Sequence, residues 1–209
     1  LGDDERVGRA LAAFAAIPNG SEFGAQARYF EGALLVQRGA LADAALAFGR
    51  VLALPQVSGA PGSAEAKIAP GLSGQAAVAA ARALKLSKLR DLARLALGRV
   101  LFEQGDLAGA VVRYQEIDRD SESYHDALYE LSACWQKLGE FEKALRSTDL
   151  LLLLVEESTI APEARLQQAG LELKLKQYAK AITLDDGYVY WTQSDSFFLP
   201  QKTTIHRAA

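Results

Sequence analysis

The sequence is short of the residues that most reactive sites use. It has one cysteine, Cys134, and two histidines, His125 and His206, among 209 residues. Three such residues in separate segments cannot supply the closely spaced ligands of a metal site, and a single cysteine cannot form an internal disulfide. Cys134 adjoins Trp135 in a predicted helix, which favours a small buried apolar residue over a nucleophile. We therefore expect no metal, no cofactor and no enzyme activity in this chain.

Three further absences narrow the class of protein. The net charge is -3 and the isoelectric point is about 5.5, so the basic surplus typical of nucleic-acid-binding proteins is missing. No apolar run reaches the length of about 18 residues that a membrane span needs, and the most apolar stretch is flanked by Asp149 and Glu156. A Gly-rich phosphate loop of the Walker type is also lacking. We expect neither a nucleic-acid ligand nor a transmembrane segment.

The sequence does contain a repeat with a period of 34 residues, because residues 91–114 align with residues 125–148 without a gap. In this alignment Gly105 matches Gly139 and Ala110 matches Ala144. A period of this length is typical of a helical repeat. Apolar residues at helical spacing predict a buried stripe on each helix, and the glycines predict the turn between two helices. The alanines predict a close helix crossing.

The pattern resembles the tetratricopeptide repeat, a unit of two antiparallel helices. The residues that carry the resemblance are Gly32, Leu35, Gly39, Leu41, Ala44 and Phe48 in one copy, Gly98, Leu101, Gly105, Leu107, Ala110 and Tyr114 in a second, and Ser132, Trp135, Gly139, Phe141, Ala144 and Thr148 in a third. A later copy starts near Pro162 and has Lys176 where the turn glycine would be. The resemblance implies an all-α fold, a right-handed α-solenoid of antiparallel helix pairs.

We expect this repeat domain to cover residues 1–183. Its copies lie near residues 22–55, 89–122, 123–158 and 159–183. A degenerate copy is expected at 56–88, because Gly39 and Gly105 are 66 residues apart, close to two periods. The first part of that copy is rich in Gly, Pro, Ser and Ala, which indicates an eroded first helix or an ordinary long loop. Residues 76–86 predict a helix.

The remaining residues, 184–209, form a predicted tail of different character. Aromatic and β-branched residues such as Tyr188, Trp191 and Phe197 are frequent there, and they favour extended structure over helix. Solenoids need a cap over their last apolar face. The tail is therefore expected either to cap the last repeat or to dock in a groove.

In proteins that this chain resembles, the first helices of successive repeats line a concave groove that binds a peptide or helix. The residues at those places are Tyr29, Ala33, Val36, Leu95, Arg99, Phe102, Tyr129, Ala133, Gln136, Leu166, Gly170 and Leu173. Some family members grip a C-terminal carboxylate with lysines where this chain has Tyr29, Leu95 and Tyr129. That binding mode is therefore not implied, and the apolar groove favours an amphipathic helix or an apolar peptide. Packing against the next repeat is the alternative role for each residue.

A basic cluster is the other feature that could bind a partner. It contains Arg82, Lys85, Lys88, Arg90, Arg94 and Arg99, opposed in that span by Asp91 alone. Such a strip could meet an acidic protein, a nucleic acid or anionic lipid headgroups. An ordinary solvated helix face is the alternative.

Several stretches, such as Phe141 to Leu145, also resemble repeat proteins of the bacterial cell envelope. These include outer-membrane assembly lipoproteins, the periplasmic coordinators of the Tol-Pal system and repeat proteins of gliding bacteria. The resemblance implies a periplasmic scaffold within an envelope complex that is associated with a membrane. Two other functions stay open: a helical accessory domain of a peptidoglycan-active enzyme, and a cytoplasmic regulator that binds a signalling peptide.

Overall fold

Helices make up nearly all of the chain that the structure describes. The computed structural model describes residues 2–54, 74–154, 161–175, 184–185 and 188–189. Its helices in these ranges are α1 (Asp3–Ala15), α2 (Gly24–Gln37), α3 (Leu41–Ala53), α4 (Gln75–Glu103), α5 (Leu107–Gln115), α6 (Tyr124–Lys137), α7 (Phe141–Leu154) and α8 (Ala161–Lys174). Two strands of two residues each, β1 (Leu184–Asp185) and β2 (Tyr188–Val189), pair antiparallel. The all-α class is confirmed for these ranges. The rest of the predicted tail, residues 190–209, lies outside them.

Each helix packs mainly against its neighbours in the sequence. Contacts join α1 to α2, α2 to α3, α3 to α4, α4 to α5 and α7 to α8, and α2 also touches α4. The chain divides into two compact units, Leu1–Cys134 and Trp135–Ala209. Packing between helices that are close in sequence is what a helical repeat protein requires.

Three glycines end helices in the left-handed conformation, as the repeat pattern predicted. Gly39, Gly105 and Gly139 have φ angles of 72°, 83° and 77°. In each turn the glycine N–H donates to the carbonyl three residues earlier, and the following N–H donates to the carbonyl five residues earlier, at 2.9–3.1 Å. These two bonds satisfy carbonyls that a helix end otherwise leaves without donors.

The core of the first unit forms where α3 meets α4. Its buried members are Ala44, Phe48, Val51, Ala93, Leu97 and Val100. The Phe48 ring lies against the backbone of α2, since a Cβ placed on Gly32 would be only 2.7 Å from its Cε1 atom. Gly98 and Tyr114 make the equivalent contact between α4 and α5, and both rings are fully buried. A glycine on one helix thus makes room for a large ring on its partner.

The structure adds a helix that the repeat pattern did not predict, α1. The connection from α1 to α2 matches the connection from α5 to α6, 100 residues later. In the first, the Ser21 N–H donates to the Pro18 carbonyl at 3.0 Å, and in the second, the Ser121 N–H donates to the Asp118 carbonyl at 3.0 Å. By this match α1 occupies the place of the second helix in a helix pair.

The expected boundary between residues 88 and 89 was wrong, because it falls inside α4. This helix runs for 29 residues. No glycine or proline occurs from Gln75 to Leu97, so nothing in that stretch codes for a turn. Gly74, with a φ of 62°, precedes the helix and stands one residue past the place where the period puts a turn glycine. The second helix of the degenerate copy and the first helix of the next copy are therefore one helix. The first part of the degenerate copy, residues 55–73, lies outside the described ranges.

The second unit contains α7 and α8. Their buried contact is formed by Ala144, Leu145 and Leu171, with Trp135, Phe141 and Leu175 packed around it. The side chain of Gln168 on α8 donates to the Asp149 carboxylate on α7 at 2.6 Å. The expected copy at 159–183 is thus represented by α8, and its last residues, 176–183, lie outside the described ranges.

Candidate binding surface

The first helices of successive repeats, α2, α4 and α6, are linked to one another in the first unit. Helix α2 touches α4 directly. The link from α4 to α6 is ionic: Arg99 Nε donates to Glu130 Oε1 at 2.6 Å, and Lys88 Nζ lies 2.6 Å from Glu122 Oε1 at the start of α6. These contacts place the three predicted groove helices in one connected row.

Arg99, predicted to line the groove, is the centre of this link. Its side chain is about half exposed and pairs with Glu130 and, at 3.8 Å, with Asp126. Partial burial lowers the pKa of Arg99, but the hydrogen bond from Glu130 and the charges of Glu130 and Asp126 outweigh it and raise the pKa above its ordinary value. The guanidinium therefore stays charged and holds α4 against α6.

Glu130 also accepts a hydrogen bond from a buried phenol. The Tyr114 side chain is 2% exposed, and its hydroxyl bonds to the Glu130 carboxylate. Burial raises the pKa of Tyr114 strongly, and the hydrogen bond and negative charge of Glu130 add to that rise. Repeat reasoning did not single out Glu130 or Asp126. The period matches Arg99 to Ala133, and the two acids precede Ala133 by about one and two helical turns, which is a usable signal.

On α2, the predicted groove residues differ in exposure. Tyr29 is half-buried: its ring lies 5.7 Å from the rings of both Phe30 and Phe48. Val36 is 39% exposed. The neighbouring Phe30 is 50% exposed and stacks on Phe14 of α1, and the repeat pattern did not identify it as a surface residue.

One predicted groove residue is not available to a partner. Leu95 is 4% exposed, so its side chain belongs to the interior. The reason is that α4 packs against α2, α3 and α5, which together cover more of its surface than repeat register suggests. Phe102 and Tyr129 are half-buried, and each keeps part of its ring accessible.

The remaining predicted groove residues belong to the second unit. Gln136 and Leu173 are half-buried there, and Leu166 is 76% exposed. The expectation that a single groove includes these residues together with those of the first unit stays a prediction.

The basic cluster is only partly a surface feature. Arg90 is 7% exposed, and its guanidinium donates to the carbonyls of Leu52, at 3.1 Å, and of Leu54, at the end of α3. Burial lowers the pKa of Arg90, and the charge of Arg94 adds to that effect. Cations at a helix C-terminus meet the negative end of its dipole and its unpaired carbonyls. Arg90 is therefore a structural cap of α3, and the inclusion of this residue in a ligand-binding patch was wrong.

A second buried arginine acts in the same way. Arg28 of α2 is 5% exposed, and it donates to the carbonyl of Phe14 and to that of Ile17, at 3.3 Å, where α1 ends. Its other nitrogen donates to Glu31 at 2.6 Å. In both helix pairs, an arginine of a first helix thus binds the C-terminus of the helix that precedes it.

The other members of the basic cluster lie at the surface. Arg94 is tied down by Asp91, at 2.7 Å, and lies 3.8 Å from Glu116. Arg82 and Lys85 are exposed, and Lys88 is half exposed. The exposed part of the cluster is therefore confined to the first half of α4.

A cleft of about 380 Å³ lies between α1, α2 and α3. Its apolar wall includes Leu11, Leu35 and Leu46. The rim carries Glu31 and Arg50, which are already paired with each other at 3.3 Å. The cleft thus has no charged group left for a polar ligand on that pair.

Residues that could perform catalysis or bind a metal do not come together in the described ranges. No group of three or more His, Cys, Asp or Glu side chains there could hold a metal ion. Cys134 is fully buried. Within these same ranges no helix combines the length and the apolar character that crossing a membrane requires.

Comparison with known proteins gives no relative: no protein-family model matches the chain, and no curated protein matches it. The binding surface must therefore be interpreted from its own geometry.

Proposed function

We propose that this chain is a non-enzymatic interaction module, a right-handed α-solenoid of the tetratricopeptide type that binds a protein partner. The partner is an amphipathic helix or an apolar peptide, and it lies across the first helices α2, α4 and α6. No cofactor takes part. The module acts as a scaffold within a complex of the bacterial cell envelope.

The observation that carries this proposal is the connected row of α2, α4 and α6. Along it stand partly exposed apolar and aromatic side chains, among them Val36, Phe102 and Tyr129. Aromatic residues that are fixed on rigid helices dominate binding energy at protein interfaces because they bury a large area at a small entropic cost. Arg99 and Glu130 hold α4 and α6 in register, so the row is rigid before a partner binds.

The chemistry of the row favours an apolar partner. Arg99 is the charged residue among the predicted groove positions of the first unit, and it is already paired with two acids. A helix that binds in a groove uses apolar anchors at positions i, i+3, i+4 and i+7. Such anchors match a surface of aromatic and aliphatic side chains.

A photo-crosslinking experiment tests the surface. A photoreactive phenylalanine is placed at Val36 or Tyr129, within the row, and at the control positions Leu46 and Val112, which are 61% and 44% exposed on the second helices α3 and α5. We expect the two row positions to crosslink the same protein in native cells and the two controls not to do so. Equal crosslinking from all four positions would contradict the groove.

The envelope location rests on the resemblance of the repeat wording to envelope proteins. It is tested by tagging the full-length protein in its native cells and separating periplasm, membranes and cytoplasm. We expect the protein in the periplasmic or membrane fraction. Recovery from the cytoplasm alone would favour a cytoplasmic peptide-binding regulator instead.

A further inference from the structure

The first half of α4 differs from every other place in the first unit where one helix pair follows another. Before α2 and before α6 the chain makes a turn, at residues 16–23 and 116–123. Within α4 the chain continues straight, so residues 75–88 are collinear with the packed second half of the helix. A helix of 29 residues is about 43 Å long, and its first half alone accounts for about 20 Å.

Burial shows that this first half is largely uncovered. Residues 75–88 contribute a single buried side chain, Ala83, whereas the second half contributes Arg90, Asp91, Ala93, Leu95, Leu97, Gly98 and Val100. Val78 is 70% exposed. We call residues 75–88 the α4 arm.

The arm carries charge of one sign on one of its faces. Val78 and Arg82 are four residues apart, and Arg82, Lys85 and Lys88 follow at steps of three, so all four lie along the same side of the helix. No Asp or Glu occurs between residues 66 and 90. In the described part of the chain, the acid that reaches this face is Glu122, which pairs with Lys88.

We propose that the α4 arm is a second docking surface, one that binds an acidic segment of a partner protein. The cations Arg82 and Lys85 bind its carboxylates, and Val78 packs against an apolar residue beside them. Charge complementarity selects the acidic partner and speeds encounter, while the apolar contact fixes the register. Lys88 can exchange its surface pair with Glu122 for a partner carboxylate, because such exposed pairs are weak.

A protein segment fits this surface better than a nucleic acid or a membrane does. The overall charge of the chain is -3, which opposes binding to a polyanion beyond the arm itself. The cations occupy two helical turns, about 9 Å, which matches carboxylates one turn apart on a short helix. The exposed Val78 adds a contact that a phosphate backbone would not use.

The experiment uses a fluorescent helical peptide with Glu at positions i, i+3 and i+7 and leucines beside them, and a second peptide with Gln in place of Glu. Binding to the whole chain is measured by fluorescence anisotropy. The test variant is Arg82→Glu with Lys85→Glu. The matched control is Arg146→Glu with Arg165→Glu, because both of these arginines are exposed and lie in the second unit. Circular dichroism verifies that both variants are folded.

We expect the Glu peptide to bind the wild type and the control variant equally, and to bind the arm variant about tenfold more weakly. Raising the salt from about 50 to about 300 mM should weaken binding to the wild type. Equal loss in both variants would show a general charge effect and overturn the proposal. Stronger dependence on the arm for vesicles of phosphatidylglycerol or for single-stranded RNA than for the Glu peptide would also overturn it.

Discussion

At the scale of single residues, the helix pairs are fitted by exchanging volume between two positions that are 16 residues apart. The larger residue on the second helix goes with a glycine on the first, as in Gly32 with Phe48. In the third copy the same places hold Ser132 and Thr148, both fully buried. A small increase on one helix is thus accompanied by a large decrease on the other.

This exchange predicts that Gly32→Ala destabilises the fold by about 1–3 kcal/mol, because the new methyl overlaps the ring of Phe48. The double variant with Phe48→Leu should cost less than the sum of the two single variants. The control is Gly49→Ala in α3, where an added Cβ meets nothing within 4 Å, and it should stabilise by about 0.5 kcal/mol. Urea denaturation measures all four. Strict additivity would contradict the contact.

Arg90 gives a second prediction at this scale. Replacing it with Met leaves the carbonyls of Leu52 and Leu54 without their donor, so we expect a loss of about 1–3 kcal/mol. The same change at the exposed Arg82, on the same helix, should alter stability by less than about 0.5 kcal/mol. Equal effects at the two positions in denaturant unfolding would remove the role of Arg90 as a helix cap.

Tyr114 predicts a dependence of stability on pH. Its pKa is raised in the folded state, first by burial and then by Glu130. Above about pH 10 the unfolded chain releases this proton and the folded chain keeps it, so the wild type loses stability as the pH rises. Tyr114→Phe should be less stable than the wild type at pH 7, by about 1 kcal/mol for the lost hydrogen bond. The difference should shrink above pH 10. A constant difference from pH 7 to pH 11 would refute this.

At the scale of helices, the turns could be predicted from the sequence and the continuous helix could not. Gly39, Gly105 and Gly139 mark their turns because a left-handed backbone favours glycine, which is a local requirement. The boundary at residue 88 was predicted from the period alone, and no residue there breaks a helix. Helix α1 was missed because the connection that follows it, residues 16–23, was not compared with residues 116–123.

The candidate surface was predictable to a smaller degree, and the misplaced residues show why. Leu95 and Arg90 are buried by contacts from helices that are distant in sequence, and Arg90 is buried because the end of α3 offers it acceptors. Repeat register gives the face of a helix but not the number of helices that cover it. Tyr29, Val36 and Phe102 keep some exposure, as expected.

The two halves of α4 predict different rates of hydrogen exchange. The second half is covered by three helices, whereas the first contributes one buried residue, so its helix is stabilised mainly by alanine propensity and by continuity with the second half. Amides of residues 78–86 should therefore exchange at least about tenfold faster than those of residues 93–101. Ala81→Gly should speed exchange further in the first half without changing the second. Uniform protection along α4 would show that the arm is covered.

At the scale of the whole molecule, stability should be local, because helices contact their sequence neighbours and the chain forms two compact units. In such arrangements the cost of a cavity stays near the helices that line it. Leu171 is fully buried against Ala144 and Leu145 in the second unit, and Val51 is fully buried in the core of the first. Leu171→Ala should cost about 2–5 kcal/mol and speed exchange in α7 and α8 while α2 and α3 keep their protection. Val51→Ala should have the opposite distribution. If either variant speeds exchange equally in both units, the molecule unfolds as one cooperative body and the stacked-repeat account of its stability fails.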